Sequence, residues 1–248
     1  MPTQLQIKTL TDKLKVYNRK YLRTQYMKLD ESATRLMVNS LLTEVLGYTE
    51  LDEIKTEYQI RGEYADYVIQ VQRKKHFVVE VKSIQLDLNE KHLRQSVSYA
   101  ANEGIDWIIL TNGKQIELYR MLFGKPISTR KIFAFDLSNK EDLKKVPEFL
   151  IYLTKKSVMN DELEDFWKRF EALEPIQLSK NLYSIEVIRF LKKVLKTKTG
   201  LSFQEDDIMD SVNQIITRKI DSIKPKAPID VFKKKRTTNL EKEQKSVL

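Results

Sequence analysis

Asp66, Glu80 and Lys82 are the residues whose types and spacing could do chemistry. They lie in two short segments, Tyr64-Ala65-Asp66-Tyr67-Val68 and Val78-Val79-Glu80-Val81-Lys82, whose β-branched and aromatic content is that of strands. In a strand, residues two apart share a face, so Glu80 and Lys82 point the same way while Val79 and Val81 enter the opposite layer. A hairpin centred on Arg73 sets Asp66 opposite Glu80, each seven residues from that centre. Directly opposed side chains have Cβ atoms roughly 5 Å apart, and a slip of one residue would separate them. Two carboxylates and an ammonium at one spot suit a Mg2+ ion, which takes one or two carboxylates and keeps waters and phosphate oxygens. Such an ion stabilises charge on a scissile phosphate and favours hydroxide formation from bound water. Lys82 could orient or deprotonate that water, or neutralise the developing phosphorane. Taken alone, the Glu-Val-Lys triplet also fits an exposed salt bridge of Glu80 with Lys82 or Arg73, a common surface feature worth little.

The elements that must hold these residues follow from periodicity. Ile7, Leu10, Leu14, Tyr17 and Tyr21 mark a basic helix over about 5–26, with Lys13, Lys15, Arg19 and Lys20 around it. A second helix starts after Asp30, a natural N-cap, carries Leu36, Met37, Leu41, Val45 and Leu46, and ends at Gly47. Strands are expected over 54–60, 64–71 and 76–81, then a helix over about 89–102 ending at Gly104. Trp107-Ile108-Ile109-Leu110 reads as a strand buried on both faces. Thr111-Asn112-Gly113-Lys114 is a turn into a strand over 115–121, and another strand covers 127–135. The order predicts an α/β fold, an α+β mixed sheet with helical cover.

After Ser138 the pattern is helical. Leu163, Phe166, Trp167, Phe170 and Leu173 mark one helix, Ile185 to Leu195 a second, and Ile208 to Ile223 a third. The expected organisation is a domain over 1–138, a helical accessory region over 139–223, and a basic polar tail over 224–248 containing Lys233-Lys234-Lys235-Arg236.

Composition narrows the classes. Lys and Arg number 44 against 35 acidic residues, a net charge of +9, so a polyanion such as nucleic acid is the first partner to consider. Zero cysteines remove disulfides and thiolate metal sites, and the two histidines, His76 and His92, cannot build a multi-histidine zinc centre. No apolar run approaches the roughly 20 residues of a membrane span, and the start of the chain lacks a secretory apolar stretch. A soluble cytoplasmic protein is expected.

The D-x13-E-x-K spacing resembles the PD-(D/E)xK nucleases, and the region around it is similar to the N-terminal nuclease domain of type I restriction enzyme R subunits. Glu31-Ser32-Ala33-Thr34-Arg35 leading to Leu46-Gly47-Tyr48 resembles that family's E-x-x-T-R…L-G-[WY] segment. Glu57 precedes Ala65-Asp66-Tyr67, Val79-Glu80-Val81-Lys82-Ser83 follows, and Gln95-Ser96-Val97-Ser98-Tyr99 resembles the Q-x-x-x-Y motif. Trp107 to Gly113 and Leu118-Tyr119 resemble the closing strand pair, so the likeness covers roughly residues 25–137. It implies a restriction-endonuclease-like core and a Mg2+-dependent (or Mn2+-dependent) deoxyribonuclease active in restriction, defence or mobile-element biology. Asp66, Glu80, Lys82, Gln95 and Tyr99 would be catalytic, and Asp66, Glu80 and Glu31 metal ligands. Helical spacing sets Leu93, Val97 and Ala100 toward the sheet, with His92, Gln95 and Tyr99 on another face; Gln95 and Tyr99 could touch a phosphate or position Lys82, and His92 faces solvent. Glu31 equally suits a helix N-terminus, where the dipole favours an acid.

R subunits continue into an ATP-driven motor. This sequence has no G-x-x-x-x-G-K-[ST] loop, since Gly113-Lys114 is followed by Gln115 and Gly124-Lys125 by Pro126. Two expectations follow: a free-standing DNA nuclease, or a nucleic-acid-binding or assembly subunit that does not cut without a partner, such as a motor in trans. The helical region could serve dimerisation, DNA grip or partner docking, and RNA stays open as a substrate.

Overall fold

The structure, a computed structural model, describes residues 1–60 and 63–218. Lys224, Lys226 and the Lys233–Arg236 cluster, together with Ile220 and Ile223 of the third expected helix, lie outside the described residues. The chain divides into two compact units, Met1–Trp167 and Lys168–Leu248.

The first unit is built on one six-stranded sheet in sequence order: β1 (Ile54–Ile60), β2 (Glu63–Val71), β3 (Lys74–Val81), β4 (Trp107–Thr111), β5 (Gln115–Leu122) and β6 (Ser128–Asp136). All neighbours are antiparallel except β3 and β4. A parallel pair needs a crossover, and the segment between them supplies it: a 3-10 turn (Glu90–Leu93) running into helix α3 (Arg94–Glu103). Gly104 closes α3 in the left-handed conformation, φ 65°. With helices on both sides of β3, the run Phe77 to Val81 is buried throughout, and so is β4. Val68, Val78, Ile108, Leu110, Tyr119 and Met121 form the core under α3. The opposite face meets the N-terminal helices α1 (Gln4–Tyr21) and α2 (Glu31–Ser40): the Tyr48 ring abuts Phe77, and the Tyr17 hydroxyl donates to the Gly113 carbonyl at 2.9 Å. The mixed sheet with helical layers is the α/β fold expected.

The β2–β3 hairpin reaches the expected register by an unexpected route. Its turn is Gln72–Arg73, both with positive φ (50° and 66°), the type I′ form whose twist matches the strands. Next to the turn Val71 pairs with Lys74 and Gln70 with Lys75, and a regular ladder from there would set Asp66 opposite Val79. A bulge between Ile69 and Gln70 adds one residue, His76, on β3, so that Ile69 pairs with Phe77, Val68 with Val78 and Tyr67 with Val79. The next step sets Asp66 against Glu80. A turn centred between 72 and 73 plus one bulge thus equals a hairpin centred on Arg73.

Helix α2 is capped by Asp30, whose carboxylate accepts from Ala33 N at 2.8 Å, and it widens into a π-helical turn over Leu41–Val45 before Gly47. Leu36, expected in its apolar face, is exposed instead; Met37, Val38 and Leu41 are the buried residues.

The expected boundary at 138 is corrected. Helices α4 (Lys140–Lys145), α5 (Pro147–Leu150) and α6 (Lys155–Met159), and α7 (Glu162–Ala172) as far as Trp167, belong to the first unit. Polar and aromatic contacts hold them there: the Tyr48 hydroxyl donates to the Leu153 carbonyl at 2.7 Å, Trp107 Nε1 donates to Glu164 at 2.7 Å, and the Arg120 guanidinium lies over both Trp107 and Trp167. Amphipathic periodicity in 163–173 reads the same whichever body the helix packs on. The second unit contains α8 (Pro175–Leu182), α9 (Ile185–Thr199) and α10 (Glu205–Arg218), with a small core of Ile188, Ile208 and Val212. Among the described residues, no helix is long and apolar enough to cross a membrane.

A left-handed conformation costs an L-residue roughly 1–2 kcal/mol, and the type I′ turn prefers Asn-Gly. Replacing Gln72-Arg73 by Asn-Gly is therefore expected to stabilise the protein by about 1 kcal/mol, raising Tm by roughly 2–4 °C. A drop in Tm on calorimetry would contradict the turn geometry and the register built on it.

Candidate active site

Three elements converge at the C-terminal end of β3. The Thr34 hydroxyl donates to the Asp30 carbonyl at 2.7 Å and accepts from Ile84 N at 3.1 Å. The Ser83 hydroxyl donates to the Leu29 carbonyl at 2.9 Å. These bonds tie the start of α2 to the chain leaving β3, while the Tyr67 hydroxyl, donating to the Arg35 carbonyl at 2.8 Å, pins α2 to β2. Glu31 and Arg35, one helical turn apart, are thereby aimed at the end of the hairpin.

The charged side chains form a linear chain of contacts. Asp66 Oδ1 meets Arg35 Nη2 at 2.6 Å, and that nitrogen lies 3.1 Å from Glu31 Oε1. Glu31 Oε2 lies 3.8 Å from Lys82 Nζ, which in turn sits 2.6 Å from Glu80 Oε1. The remaining oxygens of the two buried acids are also engaged: Asp66 Oδ2 accepts from Val81 N at 2.7 Å, and Glu80 Oε2 accepts from the Ser96 hydroxyl. Asp66, Glu80, Lys82 and Glu31 are brought together. Arg35 and Ser96 are added by the structure. Arg35 was legible only as the last letter of E-x-x-T-R, one turn after Glu31; Ser96 sits between the two lettered residues of Q-x-x-x-Y and gave no signal of its own.

The 3-10 turn and helix α3 pack on the sheet through Leu93, Val97 and Ala100 as expected, but Ser96 and Tyr99 join that face. Leu93, Ser96, Tyr99 and Ala100 point into the protein and are buried. Tyr99 is fully enclosed in the core under α3 with Val68, Val78 and Ile108, so it does not share a surface stripe with Gln95. The 100° step of a helix allows either placement for Tyr99; sheet contacts decide it. Gln95 is exposed and shares an open cleft of about 750 Å³ with Glu80 and Lys82. His92, expected to face solvent, is partly buried on the edge of this cleft, its ring hydrogen-bonded to Asn89.

Burial pushes the Glu80 carboxyl above the usual glutamate value, a rise opposed by hydrogen bonds from Lys82 and Ser96 and reinforced by the charge of Asp66. Burial would lower Lys82, but Glu80, Glu31 and Asp66 outweigh it and hold the ammonium above its usual value. The same contact therefore acts differently on its two members. Glu80 is only 5% exposed and Lys82 20%, so desolvation dominates at the acid and attraction at the base.

Asp66 and Glu80 supply the hard oxygen donors that Mg2+ takes, and two carboxylates suffice when waters and phosphates complete the shell. Each oxygen has a second lone pair beyond the hydrogen bond it accepts. Those two acids fit such an ion. The three-acid set does not form: among the described residues, no group of three acidic or histidine side chains is arranged to hold a metal ion. Glu31, expected as a third ligand, instead pairs with Arg35 and Lys82.

Because the folded-state value of Glu80 is raised, the folded protein binds that proton more tightly than the unfolded chain. The resulting stability is complete below about pH 4.5 and is lost as pH rises through the raised value. Glu80→Gln, which cannot ionise, should lose the fall in stability that the native protein shows as pH rises from about 4.5 through the raised value, and should also lose the ion pair with Lys82 at neutral pH. Thermal melts from pH 4 to 7.5 should therefore give a flatter Tm profile for the variant than for the native protein; an identical profile would contradict the burial cost assigned to Glu80.

Residues 30–128, from α2 through the β4–β5 hairpin, match the family model described as type I restriction enzyme R protein N terminus (HSDR_N). No curated protein matches the chain. A solved structure described as the cryoEM structure of the DrdV-DNA complex is similar at 14% identity over 85% of this chain and 21% of that one, with a TM-score of 0.36. This chain spans about a fifth of that structure's chain, and so slight a likeness carries no argument. Residues 30–128, which carry the gathered acids and lysine, are thus similar to the N terminus of type I restriction enzyme R proteins.

Proposed function

We propose that this chain is a metal-dependent DNA nuclease of the PD-(D/E)xK type, acting in restriction, defence or mobile-element biology. The observation that carries the reading is the convergence of Asp66, Glu80 and Lys82 at one strand end, with Lys82 Nζ 2.6 Å from Glu80. Asp66 and Glu80 would hold Mg2+, with Mn2+ as a substitute; the ion supplies charge stabilisation at the phosphate and a hydroxide nucleophile at neutral pH. Arg35 holds the Asp66 carboxylate by one oxygen and Ser96 holds Glu80 by one, so both acids enter the reaction already oriented. Lys82, kept protonated by the acids around it, donates hydrogen bonds and offsets negative charge on the phosphorane; it does not begin as a base. Gln95, in the same cleft, orients a phosphate oxygen or water through its amide. Tyr99 acts from within the core, fixing how α3 seats on the sheet.

One observation favours a second reading. Every oxygen of Asp66 and Glu80 already accepts a protein hydrogen bond or ion pair. A subunit that binds nucleic acid and cuts only when a partner, such as a motor in trans or a second copy, rearranges these contacts would be built this way.

Plasmid and linear DNA incubated with the protein plus MgCl2 should be cleaved, and EDTA should abolish the cleavage. Lys82→Ala and Asp66→Asn should each lower the rate by at least about 10²-fold, the scale of losing one electrostatic stabiliser or metal ligand. Cleavage unchanged in Lys82→Ala would eliminate the mechanism. DNA binding without metal-dependent turnover would leave the second reading in its place.

A further inference from the structure

The cleft beside Glu80 and Lys82 is lined otherwise by Lys91, His92, Arg94, Gln95 and Ser98. Lys91, Arg94, Gln95 and Ser98 recur at i, i+3, i+4 and i+7, so one face of the 3-10 turn and α3 forms the whole outer wall. Leu93, Ser96, Tyr99 and Ala100 form the inner face of the same helix, and Ser96 binds Glu80. The outer wall is thus held in a set position against the acid pair.

The charges of this wall differ from those around them. Arg35, Lys75, Lys82, Lys114, Arg120 and Lys131 all have carboxylate partners. The Lys91 and Arg94 side chains are exposed, and no described carboxylate pairs with either. Among the described residues, Glu80 is the single acid lining the cleft, and its charge is met by Lys82. On α2 the partly exposed Glu31 is met by Arg35 and Lys82. The exposed cations without a described carboxylate partner beside the acid pair are thus those of the 3-10 turn and the start of α3.

We infer that this cleft holds the sugar–phosphate backbone of DNA on one side of the scissile phosphate, with Arg94 and Lys91 as its phosphate contacts. The assignment rests on the nuclease reading above and adds a direction to it: the bound strand leaves the centre along the outer face of α3. Arg94 offers a planar fork suited to phosphate oxygens, Lys91 a point charge. Gln95 lines the same cleft as these cations and Lys82. Neither cation touches the reacting atoms; both are positioning residues.

Binding of a labelled DNA duplex by the full chain carrying Lys82→Ala, measured by fluorescence anisotropy with CaCl2 over 50–300 mM KCl, tests this. The control pair is Lys13→Ala/Lys156→Ala, two exposed lysines flanking an apolar groove elsewhere on the first unit. Removing one cation from a phosphate should lower the salt slope by about 0.9. Adding Lys91→Ala/Arg94→Ala should therefore reduce the slope by nearly two and weaken binding at 100 mM KCl about tenfold or more, while the control pair leaves both unchanged. In the otherwise native chain, Lys91→Ala/Arg94→Ala should raise KM for DNA with a smaller change in kcat. Melting curves within about 2 °C of the parent would show that α3 stays folded, as expected for exposed positions. Unchanged slope and affinity would overturn the assignment and leave the nuclease reading standing on metal-dependent cleavage. An equal loss in the control pair would also overturn it, because the contribution would then be net charge alone.

Discussion

Three carboxylates at one end of a sheet repel one another, and two cations hold them together. Arg35 lies between Asp66 and Glu31, and Lys82 lies between Glu31 and Glu80, in contacts of 2.6 to 3.8 Å. Asp66 and Glu80 are nearly buried, where an unpaired charge costs several kcal/mol and removal of one partner typically costs 3–5 kcal/mol. The rest of the first unit serves this alternation of sign. Helix α2 must deliver Glu31 and Arg35, the hairpin must deliver Asp66 and Glu80 in register, and α3 must bring Ser96 over Glu80. A shift in any one of the three leaves a buried charge without its partner.

The backbone devices that secure these positions are small. One extra residue at His76 turns a type I′ hairpin that would misplace Asp66 into one that sets it against Glu80. Thr34 and Ser83 hydroxyls stitch the entry of α2 to the exit of β3. The β3–β4 parallel pair obliges the chain to cross over the sheet, and that crossover is the helix supplying Ser96 on its inner face and Gln95 on its outer face. Neighbouring residues of one helix thus serve different layers: Ser96 orients the acid, Gln95 faces the cleft, and Tyr99 packs in the core.

The arrangement carries a tension between stability and use. Burial raises Glu80 above its usual value, whereas the proposed role as a metal ligand needs it ionised, and Lys82, which offsets the burial, is the group proposed to meet a phosphate. Under the proposed function, pre-oriented acids with neutralising partners would reduce the reorganisation needed on binding a cation and a phosphate, at some cost in native stability. The rim is built from the same charges: on α2 the partly exposed Glu31 pairs with Arg35, while the exposed cations Lys91 and Arg94 lie in the 3-10 turn and at the start of α3.

How much of this was legible varies by the range of the interaction that decides it. Strand periodicity alone places Glu80 and Lys82 on one face, the N-cap at Asp30 follows from local hydrogen bonding, and the α/β order of elements follows from the switch between periods of two and 3.6. Glu31 was legible as a residue of the site, although its partners turned out to be Arg35 and Lys82 rather than an acid trio. The burial of Tyr99, the exposure of Leu36 and the docking of residues 140–167 on the first unit were not legible, because amphipathic spacing says that a face is buried and not against what. The sequence by itself determined which residue types lie on each strand and helix face, since that depends on backbone geometry a few residues long. Only the tertiary structure decided the partners, through the bulge at His76, the pairing of Arg35 with Asp66 and of Ser96 with Glu80. The reason is physical: the two side-chain pairings join residues 31 and 16 positions apart in the chain, and their geometry is set by packing rather than by any local preference.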